Sequence, residues 1–323
     1  MITAPAVSDA TLLADLGGTN ARFALYEGGR LGRIVRLPVA EHASLPAAIA
    51  AFLAAEGAGR RIGRAVLAIA GPVEDGRADF TNTDWVADSA ELARTFGFAA
   101  VRLVNDFAAQ AWALPDLAAA DLHPLGGGPA VAGAPMAVLG PGTGLGVAAL
   151  VPAAGGAVAV ATEGGHVTLP GTSARDDAII AILRQRFGHV SAECVLSGPG
   201  LVNLHAAIAT LDGAAHTPRS AADITAAALA GTCPVCRAAL DTFCAMLGTV
   251  AGNLALSFGA RGGVFVAGGI APRIVEHLAR SAFRAQFEAK GRFRDYLAAI
   301  PVHVVLHSDP AFVGLSAIAR SGG

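Results

Sequence analysis

Short apolar blocks closed by glycine, proline or acidic residues fill the first half of the chain, and longer blocks with helical spacing fill much of the second. Residues 11–16 read as a strand, Gly17-Gly18-Thr19-Asn20 as a turn, and residues 21–26 as a second strand ending at Glu27-Gly28-Gly29, with Phe23 and Leu25 apolar in alternation. This strand–turn–strand hairpin argues against a dinucleotide fold, which needs a helix directly after its glycines. Helices follow over 45–55 and 89–96, with a buried strand over 65–70 between them. A strand over 101–104 ends in Asn105-Asp106, and a helix over 107–114 is stopped by Pro115. Strands over 136–139 and 147–151 flank the loop Gly140-Pro141-Gly142-Thr143-Gly144-Leu145-Gly146. Helices are expected near 176–187, over about 198–210, after Asp223 and near 237–258. A strand over 264–267 runs into Gly268-Gly269, and a last strand over 302–306 precedes Asp309-Pro310. There Asp309 is placed to cap a terminal helix and Pro310 to open it. Alternating strands and helices give an α/β chain of two lobes, without a repeat of fixed period or a low-complexity linker.

Length changes the picture little, since 323 residues suit about two domains. Hydropathy raises a membrane question, because the chain is 54% hydrophobic and 15% charged. Residues 122–162 carry no charge, but glycines and prolines interrupt them every few positions. Residues 242–260 are diluted by Thr242, Gly248, Thr249, Gly252, Asn253, Ser257 and Gly259. A bilayer span needs about 20 uninterrupted apolar residues, so the second stretch reads as a core helix and no membrane association is expected. Asp9 precedes the first apolar run and no basic segment stands before it, so no signal peptide is expected. Four cysteines without a secretory signal point to reduced thiols in the cytoplasm. A net charge of −2 leaves no positive field for nucleic acid or anionic lipid. Lys290 is the only lysine, which excludes both a Walker A loop and a protein-kinase site, each of which needs a lysine on the phosphates.

Three glycine turns each follow a strand: residues 17–20, 140–146 and 268–269. Glycine allows positive φ and close backbone approach, so such turns can aim N–H groups at a phosphate; hairpins also need glycine for purely structural reasons. Asp15 adds a carboxylate at the first turn, where Mg²⁺ carrying several waters could be held. Asn105-Asp106 stands at the C-terminal end of a strand, where open α/β sheets place ligands. A carboxylate there either takes a proton from a substrate hydroxyl or caps the helix starting at Phe107. Glu163-Gly164-Gly165-His166 and Glu193 offer donors and acceptors suited to a polyol, although a lone histidine is equally at home in a core or on a surface. Cys233-Pro234-Val235-Cys236 has neither a thioredoxin-like context nor a second pair to complete a zinc site, and reads as buried, inert thiols.

Taken in order, residues 15–22, 103–107, 139–146, 163–166, 196–201 and 266–270 resemble the bacterial glucokinases of the hexokinase/actin-like ATPase superfamily. The resemblance implies an α/β, two-lobed actin-like ATPase (ribonuclease H-like) fold with a closing cleft. The small lobe would comprise residues 1–115 plus about 307–323, and the large lobe 116–306. It implies ATP and Mg²⁺, with Asp15 holding the metal through water. The phosphates would lie on Gly17, Gly18, Thr19 and Asn20 and on Gly142, Thr143 and Gly144, with adenosine near Gly268 and Gly269. Asp106 would be the general base on the 6-hydroxyl of D-glucose, and Asn105, Glu163, His166, Glu193 and Asn82 would bind the sugar. A cytoplasmic homodimer producing glucose 6-phosphate and ADP is the implied enzyme. The related repressor/kinase branch carries a cysteine-rich zinc motif soon after its Glu-x-Gly-His stretch. Here no cysteine follows His166 until Cys194, so no structural zinc is expected. The alternatives are a kinase of fructose, mannose or an amino sugar, a non-catalytic sugar-sensing regulator, and a polymer-forming or chaperone ATPase. The presence of Asp106 and the start of the phosphate turn within about 15 residues of Met1 stand against a regulator with a DNA-binding segment.

Overall fold

The computed structural model describes residues 9–80, 83–215 and 217–321. Contacts divide the chain into two compact units, residues 1–117 with 308–323, and residues 118–307.

In the first unit, β1 (Ala10–Leu16) and β2 (Asn20–Glu27) form the hairpin, with Asp15 opposite Arg22 and Leu16 opposite Ala21. The short strands β3 (Arg30–Leu31) and β4 (Val35–Pro38) both pair with β2. After α1 (Leu45–Glu56), β5 (Ile62–Ile69) runs parallel to β1. A small hairpin of β6 (Arg77–Asp79) and β7 (Val86–Asp88) leads into α2 (Ser89–Phe96), which the Asp88 carboxylate caps and left-handed Gly97 ends. Then β8 (Ala100–Asn105) pairs parallel to β5 and feeds α3 (Asp106–Ala113). Register aligns Leu16 with Ile69 and Ile69 with Asn105, so three parallel strands finish at one edge.

Both faces of that sheet are buried, which is why β1 and β5 read as nearly continuous apolar runs. Leu12, Leu16, Phe23 and Leu67 face a core shared with Ile49 and Phe52 of α1 and Leu92 of α2. Leu13, Val66 and Ala68 face Ala109 of α3 and Phe312, Leu315 and Ile318 of the terminal helix, Pro310–Arg320. A Cβ on Gly314 would run into the Ala109 carbonyl, so these two helices cross at backbone contact. Asp309 occupies the N-cap position of the terminal helix, but its side chain makes no capping bond. It is drawn away by Arg22 Nη1 and Ser308 Oγ, each donating at 2.8 Å, which corrects the capping role expected from sequence.

The second unit repeats the same path on an unrelated stretch of sequence. β9 (Leu122–Pro124) lies at one edge, and β10 (Met136–Pro141), β11 (Leu145–Ala153) and β12 (Gly156–Thr162) form an antiparallel meander. Four helices follow: α4 (Ala174–Phe187), α5 (Gly198–Leu211), α6 (Ala221–Ala230) and α7 (Pro234–Phe258). β13 (Gly263–Val266) then runs parallel to β10; after α8 (Val275–Arg280), α9 (Phe283–Glu288) and α10 (Arg294–Ala298), β14 (Val302–Val305) runs parallel to β13. α7 begins three residues before the expected start, because Pro234 sits in the first turn, where its missing N–H costs nothing. It is long and apolar enough to cross a membrane, yet 72% of its most apolar window is buried within the unit, where Phe243, Leu247, Val250 and Ala251 form the core.

Candidate active site

In the first unit the candidates collect at the carboxyl edge of β1, β5 and β8. The Gly17–Asn20 turn is closed by Gly17 N–H donating to the Asn20 carbonyl at 3.1 Å, and Thr19 and Asn20 are exposed. Neither Gly17 nor Gly18 has positive φ, so the hairpin closes with ordinary backbone and does not use the left-handed freedom glycine allows. Asp15 is 7% exposed and bonded to the Arg22 guanidinium, whose other nitrogen holds Asp309 at 2.8 Å. Burial pushes the Asp15 carboxyl up, opposed by Arg22 beside it. Arg36 Nη2 reaches Asp309 at 3.7 Å, giving two carboxylates and two guanidiniums next to the turn. This use of Arg22, Arg36 and Asp309 is not foreshadowed by spacing in the sequence, because Asp309 lies 287 positions from Arg22.

Asn105, not Asp106, caps α3. Its Oδ1 accepts from Phe107 N–H at 2.9 Å and Ala108 N–H at 3.1 Å, while Nδ2 donates to the Gly71 carbonyl at 3.1 Å. Asp106 is the first helical residue, and its Oδ1 accepts from Phe107 N–H at 2.9 Å. Asn82 lies outside the described residues, but Thr83, Asp84 and Trp85 line an open recess with Gly18 and His42.

In the second unit the other candidates also meet. Gly142 N–H donates to the Gly144 carbonyl at 2.8 Å, closing the β10–β11 turn with Thr143 exposed at its tip. Gly198 N–H, at the start of α5, donates to the Gly142 carbonyl at 2.8 Å, so a helix N-terminus stands beside the turn. Gly268, at φ +78°, packs on the same hairpin: a Cβ there would lie 2.5 Å from the Pro141 carbonyl oxygen. Glu193 links the turn to the sugar candidates. Its Oε2 accepts from Leu145 N–H at 2.8 Å and its own N–H donates to the Gly165 carbonyl at 2.9 Å. Gly165 sits between Glu163 and His166, whose Oε2 and Nε2 are 4.0 Å apart with both side chains largely exposed. Ser197 Oγ donates to the Glu193 carbonyl at 2.9 Å and accepts from Gly200 N–H at 2.9 Å, fixing α5 to the same place. The structure therefore brings Gly142, Thr143, Gly144, Glu163, His166, Glu193, Gly268 and Gly269 to one end of one sheet.

The cysteines depart from expectation. Cys244 is buried and its thiol is pushed up to about 12. Cys233 is only half-buried and stands at the N-cap of α7, where Cys236 N–H donates to its Sγ at 3.4 Å. The Cys236 thiol and that N–H hold the Cys233 thiol below its ordinary value, so the reading of a buried, inert thiol is corrected for Cys233, whereas Cys236 is buried and its thiol is pushed up to about 11.

The sequence profile of the Glucokinase family matches residues 12–322. A curated glucokinase from Paramagnetospirillum magneticum is 48% identical over 315 residues, covering 97% of this chain and 98% of the relative. This chain belongs to the glucokinase family. The crystal structure of a glucokinase from an Antarctic psychrotroph matches with a TM-score of 0.89 at 37% identity, over 97% of this chain and 99% of that one. A glucokinase from Balamuthia mandrillaris, solved in complex with glucose, shares the fold with a TM-score of 0.78 at 21% identity, over 98% of this chain and 95% of that one. The fold is the actin-like ATPase fold of the glucokinases, and the twin sheet paths of the two units are its signature here.

Proposed function

We propose that this chain transfers the γ-phosphoryl group of ATP to the 6-hydroxyl of D-glucose, with Asp106 as general base and the two compact units as the two lobes of the kinase. The observation that carries the assignment is the placement of Asp106. It is the first residue of α3, on an Asn105 cap, at the edge where β1, β5 and β8 end. Asn105, capping the same helix, fixes the backbone that aims it. Phosphoryl transfer asks little covalent chemistry of the protein, so positioning and charge stabilisation supply most of the effect.

Each remaining residue takes a role from its surroundings. Glu163 and His166 present side chains to sugar hydroxyls, and Glu193 contributes its second carboxylate oxygen while Oε2 holds Leu145 N–H. Asn105 offers its remaining amide hydrogen to the sugar, and Asn82 belongs to the same set. The turns at Gly17–Asn20 and Gly142–Gly144 receive the phosphates, helped by the N-terminus of α5. Gly268 and Gly269 leave room for adenosine. Asp15, whose Oδ2 is paired with Arg22, would hold Mg²⁺ through its waters. Mg²⁺, when bound, neutralises phosphate charge. We place the enzyme in the cytoplasm as a homodimer.

The test is Asp106→Asn. Glucose-dependent ADP release should fall ~10²–10⁴-fold, the range of general-base contributions, while calorimetry still detects glucose binding. Turnover near the wild-type rate removes Asp106 from the role of base.

A further inference from the structure

We propose that His205, Cys233 and Cys236 form a zinc site with three protein ligands and a fourth position open on the half-exposed side of Cys233. His205 comes from the buried middle of α5 and is 3% exposed; Cys233 is the N-cap of α7 and Cys236 lies in its first turn. Their ligand atoms all lie within 4.8 Å of one another. Tetrahedral zinc, with Zn–S near 2.3 Å and Zn–N near 2.0–2.1 Å, sets its donors about 3.5–3.8 Å apart. Binding therefore requires the donors to draw in by at most about 1 Å.

The donor chemistry selects the metal. Two sulfurs and an imidazole suit a borderline-soft cation and not Mg²⁺ or Ca²⁺, which take oxygen ligands. Two thiolates also neutralise Zn²⁺, and a neutral cluster suits its apolar setting, where Cys236 belongs to the core and Cys233 packs against it. Both thiols must lose their protons to bind the metal, so uptake should release protons and weaken as pH falls. A disulfide pair would need no histidine, and the buried imidazole at both sulfurs is what favours a metal. This site is separate from the cysteine-rich motif whose absence after His166 argued against zinc. It would pin α5 to α7, and α5 is the helix whose first N–H holds the Gly142 carbonyl.

The test uses the untagged full-length chain, stripped by a chelator under reducing conditions and titrated with Zn²⁺ alone. One Zn²⁺ should bind per chain and raise the melting temperature, and Co²⁺ in its place should give thiolate-to-metal charge-transfer absorption. Cys236→Ala and His205→Gln should each weaken Zn²⁺ binding by at least ~10–100-fold, the loss seen even when a supporting partner of a ligand is removed. Cys233→Ser, at a half-exposed cap that serine also fills, tests the site if a buried variant fails to fold. Three outcomes overturn the proposal: reduced protein that takes up no Zn²⁺, Co²⁺ binding without thiolate absorption, or unchanged Zn²⁺ affinity in folded Cys233→Ser.

Discussion

Replacing Asn105 separates the cap of α3 from any direct contact with substrate. Asn105→Ala removes three hydrogen bonds at once: two from the Phe107 and Ala108 N–H groups to Oδ1 and one from Nδ2 to the Gly71 carbonyl. Loss of a side-chain cap costs about 0.5–2 kcal/mol. The Gly71 bond adds about 0.5–1.5 kcal/mol, towards the low end because that carbonyl belongs to a half-exposed residue that water can reach. The sum, about 1–3 kcal/mol, corresponds to a melting temperature lowered by roughly 2–12 °C. Asp106 is the next residue, so kcat should fall with the cap. Asn105→Asp keeps an acceptor for both N–H groups, because aspartate caps as well as asparagine, but loses the amide donor. It should recover most of the melting temperature while glucose KM stays raised. Melting followed by circular dichroism and glucose-dependent ADP release measure the two effects independently. An Asn105→Ala protein that melts and turns over like the wild type refutes the reasoning, since the cap would then position nothing.

Glu193→Gln should raise glucose KM, because the Leu145 N–H and the sugar both lose a charged acceptor, an interaction worth about 1.5–3 kcal/mol; an unchanged KM removes Glu193 from the site. His303, half-buried on β14 and stacked on Phe265 at 5.6 Å, is held below its ordinary value of 6.5 by burial. Below that pH the unfolded chain binds a proton that the folded chain resists, so stability should fall as pH drops through 6.5. His303→Phe should flatten this dependence in melts across that range, and an unaltered slope assigns it to other groups.

Local features with local causes were legible. The β1–β2 hairpin, the strand ending at Asn105 and the buried character of α7 follow from alternation, apolar runs and turn residues close in sequence. The glycine turns were legible as positions but not as reasons. Only Gly268 among them needs positive φ; a Cβ on Gly144 would strike Glu193, whereas one on Gly142 or Gly269 would meet open space. Partnerships made by the fold were not legible. Arg22 meets Asp309 across 287 positions, and His205 joins the C-x-x-C only because α5 packs on α7. The edge strands β3, β9 and β12 are short or half-exposed and leave weak patterns. The shared sheet path of the two units escapes a search for repeats, because topology sets which positions are apolar without fixing which apolar residue fills them.

The most direct measurement is the initial rate of ADP release by the purified protein with Mg-ATP, first without sugar and then with glucose, fructose, mannose or N-acetylglucosamine. The proposed glucose kinase should release ADP slowly alone and be stimulated strongly by glucose above the other sugars. Preference for another of these sugars would contradict the assignment to glucose, and ADP release indifferent to every sugar would contradict phosphoryl transfer to a hexose.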